Sequence, residues 1–215
     1  MRKLNEPYSG RDMSADALTR RMVERRAIEA AIWGMPAVNY ELMYQEMVHT
    51  VKGGFNQILY WSRLLDSKNQ TLTPNPDVIY LMPFINTKDA GPMVLEVPPP
   101  DDGVLNGSIM NYWQAAIEDV GPGGVDKGKG GKYLILPPGY DKAKVPAGYL
   151  AMPSDTYQGY ALVRSVLKSG REEDVAKAVT YGKRVKLYPL SQAANPPSTV
   201  FVDASRVVFD STIPY

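Results

Sequence analysis

Short apolar runs alternate with proline- and glycine-rich turns over residues 73–168 of this chain. Six runs have the length and the β-branched and aromatic content of strands. They cover residues 78–86, 92–98, 107–120, 132–138, 148–153 and 159–167. The connections between them are too short to hold the crossover helices of a parallel sheet. The pattern therefore predicts an antiparallel sheet folded as a β-sandwich or a partly open barrel.

Helical patterns flank the strand-like runs on both sides. Ser14 is a predicted cap for a first helix that breaks at Gly34 and Pro36, and a second helix is predicted over residues 37–51. Residues 171–187 begin with acidic and end with basic side chains, which complements a helix dipole. We therefore predict an α+β fold with N-terminal helices packed on the sheets and one helix near residues 171–187.

The composition excludes several kinds of site. The 215 residues carry 24 basic and 23 acidic side chains, and a net charge of +1 gives no footprint for nucleic acid or an anionic membrane. No apolar run approaches the length that spans a bilayer. Cysteine is absent and His49 is the only histidine, which excludes thiol nucleophiles, a serine triad and multi-histidine metal sites within the chain. We predict no metal and no cofactor, and a small polar molecule as the ligand.

A turn directly precedes the first strand-like run. Pro74 and Pro76 bias the preceding residues toward extended conformations, which fixes Asn75 and presents Asp77 at the start of the strand. Tyr80 follows three residues later. Asp77 is the candidate acid/base or cation ligand, and Asn75 and Tyr80 are candidates for positioning a ligand. The alternative is a tight turn without a further role.

Arg164 lies in a strand pattern among apolar neighbours. A buried guanidinium needs a partner, and its planar fork suits a carboxylate or an anionic ligand. One interpretation assigns Arg164 to a ligand site together with Asp77. The other assigns it to a structural salt bridge with Asp77 or Asp119 that braces the sheet.

Three further residues complete the predicted pocket. Asn111 and Trp113 are of the types that line sugar-like pockets, although most strand aromatics are simply core. Asp119 ends a strand-like run and is either a site carboxylate or a turn former. The glycine-rich residues 121–133 resemble a phosphate loop, but Gly130 replaces the required Ser or Thr and a strand follows instead of a helix. We therefore predict a flexible hairpin-like loop there.

The order of these segments resembles the DUF1254 family. The resemblance covers residues 27–192, and Asn75, Asp77, Tyr80 and Arg164 fall on its PN-x-D-x-x-Y signature and its strand arginine. Its other matching segments are AAIWGMPAVNYELMY, FNQILYWSRLLD, GPMVLEVP, GKYLILPPGYDKAKVPAGY and MPSDTYQGYALVRSVL.

The resemblance implies a domain organisation and a partner. Residues 1–26 are then a polar segment with the start of the first helix, residues 27–192 the DUF1254-like domain, and residues 193–215 a strand-like linker toward a C-terminal DUF1214-like domain. The resemblance also implies an exported or periplasmic protein, whereas the lack of an apolar signal sequence in residues 1–13 is typical of a cytoplasmic one. A homo-oligomer is the default expectation.

Three functions are compatible with these residues. The domain is an enzyme acting on a small polar or anionic, carbohydrate-like molecule, with a pocket at the start of the strand 78–85. Alternatively, it binds such a molecule without catalysis. In the third case, an Asp77–Arg164 pair braces the sheet and the domain is structural.

Overall fold

The computed structural model describes residues 12–71 and 73–214. The chain divides by its internal contacts into two units, residues 1–36 and residues 37–215. Helix α1 (Ala15–Val51) is continuous, so the prediction of two helices separated at Gly34 and Pro36 is wrong. A proline within a helix removes one backbone hydrogen bond, and the good helix formers on both sides outweigh that loss. The predicted cap is confirmed, because Ser14 Oγ accepts the Ala17 N–H at 3.3 Å.

In the described part of the second unit, ten strands form two sheets. The large sheet has the strand order β10-β1-β2-β8-β4-β5, and the small sheet has the order β7-β6-β3-β9. The large sheet contains β1 (Gln57–Tyr60), β2 (Val78–Asn86), β4 (Leu105–Asn111), β5 (Ala116–Val120), β8 (Gln158–Val166) and β10 (Phe201–Asp203). The small sheet contains β3 (Met93–Val97), β6 (Gly131–Leu136), β7 (Tyr149–Pro153) and β9 (Lys186–Pro189).

The predicted α+β class with sandwich-like sheets is confirmed, with two differences in strand pairing. Most neighbouring strands are antiparallel, but β1 pairs with β10 and β6 pairs with β7 in parallel. The run at residues 107–120 is not one strand but the hairpin of β4 and β5. Residues 112–115 form the turn of this hairpin.

Because side chains alternate between the two faces of a strand, the large sheet buries apolar side chains on both of its faces. Leu81, Ile109 and Val163 of the large sheet pack with Leu95 and Tyr133 of the small sheet, which buries the space between the sheets. The opposite face of the large sheet is covered in part by the end of α1 and by a loop. This second cluster includes Tyr40, Met43, Met47, Trp61, Phe84 and Phe209.

The described residues of the second unit also contain two short α-helices. Helix α2 is a single turn (Thr87–Ala90), and α3 covers Glu172–Gly182. The acidic first turn of α3 is confirmed. The basic residues predicted for its last turn lie beyond its end, because residues 186–189 pair with β3 as strand β9. The prediction of a helix to residue 187 is therefore wrong at its C-terminal end.

Candidate functional site

The turn at residues 73–77 is closed by its own predicted site residues. Asn75 Oδ1 accepts the Asp77 N–H at 2.8 Å, and the Asn75 N–H donates to Tyr80 Oη at 3.0 Å. The Asp77 carbonyl accepts the Leu167 N–H at 2.9 Å, which ties the turn to the end of β8. The Asp77 carboxylate is exposed. Asn75 and Tyr80 thus do the work of a turn, and the side chain of Asp77 stays open to solvent.

Arg164 lies in β8 directly opposite Tyr80 in β2. Its guanidinium carbon is 5.6 Å from the centre of the Tyr80 ring, within the range of a cation–π contact. The residue is half-buried. Tyr80 and Arg164 are therefore brought together as predicted, but through the ring face of the tyrosine.

The predicted brace is not formed. Within the described residues, the ion pairs closer than 4.0 Å include none between Arg164 and Asp77 or Asp119. Asp77 lies three residues from the register position of Arg164, or about 10 Å along the strand, and Asp119 lies two strands away, about 10 Å across the sheet. These separations explain why the structural version of the Asp77–Arg164 prediction is wrong.

Polar side chains of β4 and β5 continue the row that begins with Arg164. Asn106 lies opposite Arg164, and Ser108 lies opposite Asp119. Ser108 Oγ donates to Asp119 Oδ1 at 2.7 Å. Asn106 and Ser108 are half-buried and Asp119 is exposed. By alternation they share one face of the sheet with Arg164. The Arg164 face, as we call it, consists of Tyr80, Asn106, Ser108, Asp119, Tyr160 and Arg164.

Tyr160 lies on the same face of β8 as Arg164, four residues before it. Burial raises the pKa of the Tyr160 phenol to about 12, and the charge of Arg164 opposes that rise. The Tyr160 hydroxyl donates to Gln114 Oε1 at 3.0 Å.

Asn106 and Ser108 were missed by the sequence analysis. The signal was present, because in the run Leu105–Asn111 polar residues alternate with Leu105 and Ile109, which face the core. That alternation places Asn106 and Ser108 on the outer face. Only the pairing of β4 with β8 places them beside Arg164.

Asn111 and Trp113 lie at the other end of the sheet. Asn111 is five residues beyond the position opposite Arg164, or about 17 Å along β4. It is buried, its Oδ1 accepts the Ala115 N–H at 2.9 Å, and its Nδ2 donates to Asp155 at 2.8 Å. Trp113 contacts the edge of the Tyr112 ring. The structure does not bring these two residues to Arg164.

The glycine-rich segment forms an ordered loop around its own anion. Asp126 is buried, and its carboxylate accepts the N–H groups of Gly121, Gly128 and Gly130 at 2.9, 3.2 and 3.0 Å. A cradle of glycine N–H groups is the geometry that binds phosphate, but here the chain's own carboxylate fills it. The prediction of a flexible hairpin-like loop is therefore wrong.

Two grooves lie away from the Arg164 face. One, of about 620 Å³, is lined by residues 183–186, 196–199 and Phe201, among others. Its Arg184 and Lys186 are already paired with Asp101 and Glu96. The other, of about 390 Å³, lies between α3 and the end of β8.

In the part of the chain that the structure describes, no three His, Asp or Glu side chains gather as a metal-binding group. No helix of residues 12–71 or 73–214 combines the length and the apolar character needed to cross a membrane.

Comparisons with known proteins agree with the fold. A family model described as "Protein of unknown function (DUF1254)" matches residues 55–189. The crystal structure of the VPA0106 protein from Vibrio parahaemolyticus is similar to this chain, with a TM-score of 0.56 and 20% sequence identity over 80% of the chain. The chain spans 40% of the length of that Vibrio protein. No curated protein matches the sequence.

Proposed function

The chain belongs to the DUF1254 family of proteins of unknown function, and on that premise we propose that it binds a small anionic, carbohydrate-like molecule on the Arg164 face. One observation carries the proposal. Arg164 is half-buried and, within residues 12–71 and 73–214, its guanidinium has no carboxylate within ion-pair distance. A half-buried cation without an anionic partner in the protein favours an external anion.

The surroundings of Arg164 suit a sugar acid. The guanidinium fork presents parallel N–H donors to a carboxylate, and the contact with Tyr80 restricts its orientation before a ligand arrives. Asn106 and Ser108 offer an amide and a hydroxyl in the same row, which suit ligand hydroxyl groups. Asp119 at the far end of the face disfavours ligands with a second negative charge there.

The test compares glucuronate with glucose, which share hydroxyl groups but differ in the carboxylate. Glucuronate is expected to raise the melting temperature of the wild-type chain, since a ligand at 100 times its Kd stabilises by about 2.7 kcal/mol. Glucose is expected to have a smaller effect. Arg164→Gln is expected to abolish the glucuronate shift.

Arg206→Gln is the control, because Arg206 is an exposed arginine that lies outside the face. It removes the same charge and is expected to keep the shift. Absence of any anion-dependent shift in the wild type, or an equal shift in Arg164→Gln, contradicts the proposal.

Catalysis by Asp77 is the second candidate function. The observation that favours it is the Asp77 carboxylate, which is exposed at the start of β2 and accepts no hydrogen bond from the described residues. In that case Asp77→Asn leaves glucuronate binding intact and removes turnover of a bound substrate. If Asp77→Asn instead abolishes binding, Asp77 is part of the binding site.

A further inference from the structure

Helix α1 exposes an apolar stripe in the first unit. Leu18, Met22 and Ile32 are 45%, 58% and 63% exposed. With 3.6 residues per turn, these three side chains lie within about 40° of one line along the helix. An exposed apolar stripe of this kind marks an interaction surface.

Two opposite charges lie in the middle of this stripe. Arg25 and Glu29 are each within about 20° of the same line and are about 6 Å apart along the axis. The arrangement is nearly symmetric about residue 27, since Met22 and Ile32, like Arg25 and Glu29, lie at equal distances on either side of it. Such symmetry is what an antiparallel, two-fold interface requires.

We propose that the stripe is the contact surface for a second copy of this chain, with the two α1 helices antiparallel. In the register that the symmetry defines, Met22 packs in the same layer as Ile32 of the second copy. Arg25 faces Glu29 of the second copy, and by symmetry Glu29 faces Arg25 of the second copy. Both charges of the stripe are therefore neutralised in the same interface that covers its apolar side chains.

The charges favour this occupant over a lipid surface. A bilayer that covered the stripe would bring the Glu29 carboxylate toward its apolar interior, which offers that carboxylate no cation of its own. A second copy supplies the opposite charge for both residues. The existing Arg26–Glu29 pair, at 2.8 Å, does not prevent this, because both side chains are mostly exposed and such pairs are weak.

The first test uses charge reversal and sedimentation over a range of concentrations. The wild type is expected to dimerise as its concentration rises. Arg25→Glu alone, or Glu29→Arg alone, places like charges opposite each other and is expected to weaken the dimer at least about tenfold. The double variant is expected to restore the dimer. Glu24→Arg, a charge reversal off the stripe, is the control and is expected to leave association unchanged. Circular dichroism verifies that each variant keeps its helix content.

The second test reads the register, and the absence of cysteine makes it specific. An oxidised mixture of Met22→Cys and Ile32→Cys chains is expected to form the mixed disulfide. Met22→Cys alone is not, because its two copies would lie about 15 Å apart along the axis, too far for a disulfide. A wild type that stays monomeric, a double variant that does not recover, or cross-linking of Met22→Cys with itself overturns the proposal. Binding of the monomer to anionic vesicles would assign the stripe to a lipid surface instead.

Discussion

Removal of the Asp126 charge is the substitution whose cost follows most directly from the structure. Asp126 Oδ1 accepts the N–H groups of Gly121 and Gly128, and Oδ2 accepts that of Gly130. In Asp126→Asn the remaining oxygen keeps two bonds. The new NH₂ group then faces the Gly130 N–H, donor against donor.

The magnitude depends on the strength of hydrogen bonds to charged groups, about 1.5–3 kcal/mol each. Asp126→Asn loses one of them and is expected to lower the free energy of unfolding by about 2 kcal/mol. Asp126→Ala loses all three, but water can reach the half-buried Gly128 and Gly130, so we expect about 3–4 kcal/mol. For a domain of this size, 2 kcal/mol lowers the melting temperature by about 4–8 °C.

The assay is urea denaturation followed by tyrosine and tryptophan fluorescence, with Asp141→Asn as the control. Asp141 is an exposed aspartate that accepts the Ala143 N–H, and its substitution is expected to cost much less. Tyr133 provides a second readout. Burial raises the pKa of the Tyr133 phenol, and the charge of Asp126 raises that pKa further. Asp126→Asn is therefore expected to lower the Tyr133 pKa relative to the wild type. If Asp126→Asn is as stable as the wild type, the loop is not held by its own carboxylate as we argue.

The remaining predictions concern the large sheet. Gly107→Ala is expected to destabilise the protein by about 2–3 kcal/mol, because a Cβ at residue 107 overlaps the Leu162 carbonyl oxygen. Gly123→Ala is the control: the space around residue 123 is open, and the substitution is expected to cost less than about 0.5 kcal/mol in the same denaturation assay. Tyr160 ionises near pH 12 rather than 10, so its contribution to stability is complete below pH 10 and is lost as the pH rises through 12. A tyrosinate absorbance titration is expected to lose its step near pH 12 in Tyr160→Phe. Asn111→Ala is expected to cost about 2–3 kcal/mol of stability, by thermal denaturation, without changing glucuronate affinity, because its amide oxygen accepts the Ala115 N–H of the hairpin and its amide nitrogen donates to Asp155.

Local patterns were sufficient to predict the elements whose cause is local. The apolar residues of the run 159–167 predict a strand, and β8 covers Gln158–Val166. The Ser14 cap and the acidic first turn of α3 follow from hydrogen bonds and dipoles within a few residues. The turn at residues 73–77 likewise depends on its prolines and on Asn75.

The sequence by itself therefore determined the α+β class, most strands, and the neighbourhood of Asn75, Tyr80 and Arg164. Only the tertiary structure decided which carboxylates fail to reach Arg164 and which polar side chains of β4 stand beside it. Tertiary contacts also converted residues 186–189 into a strand of the small sheet. The physical reason is the range of the interactions: periodicity and capping act within one or two turns, whereas strand order and register depend on burying side chains that are far apart in the chain.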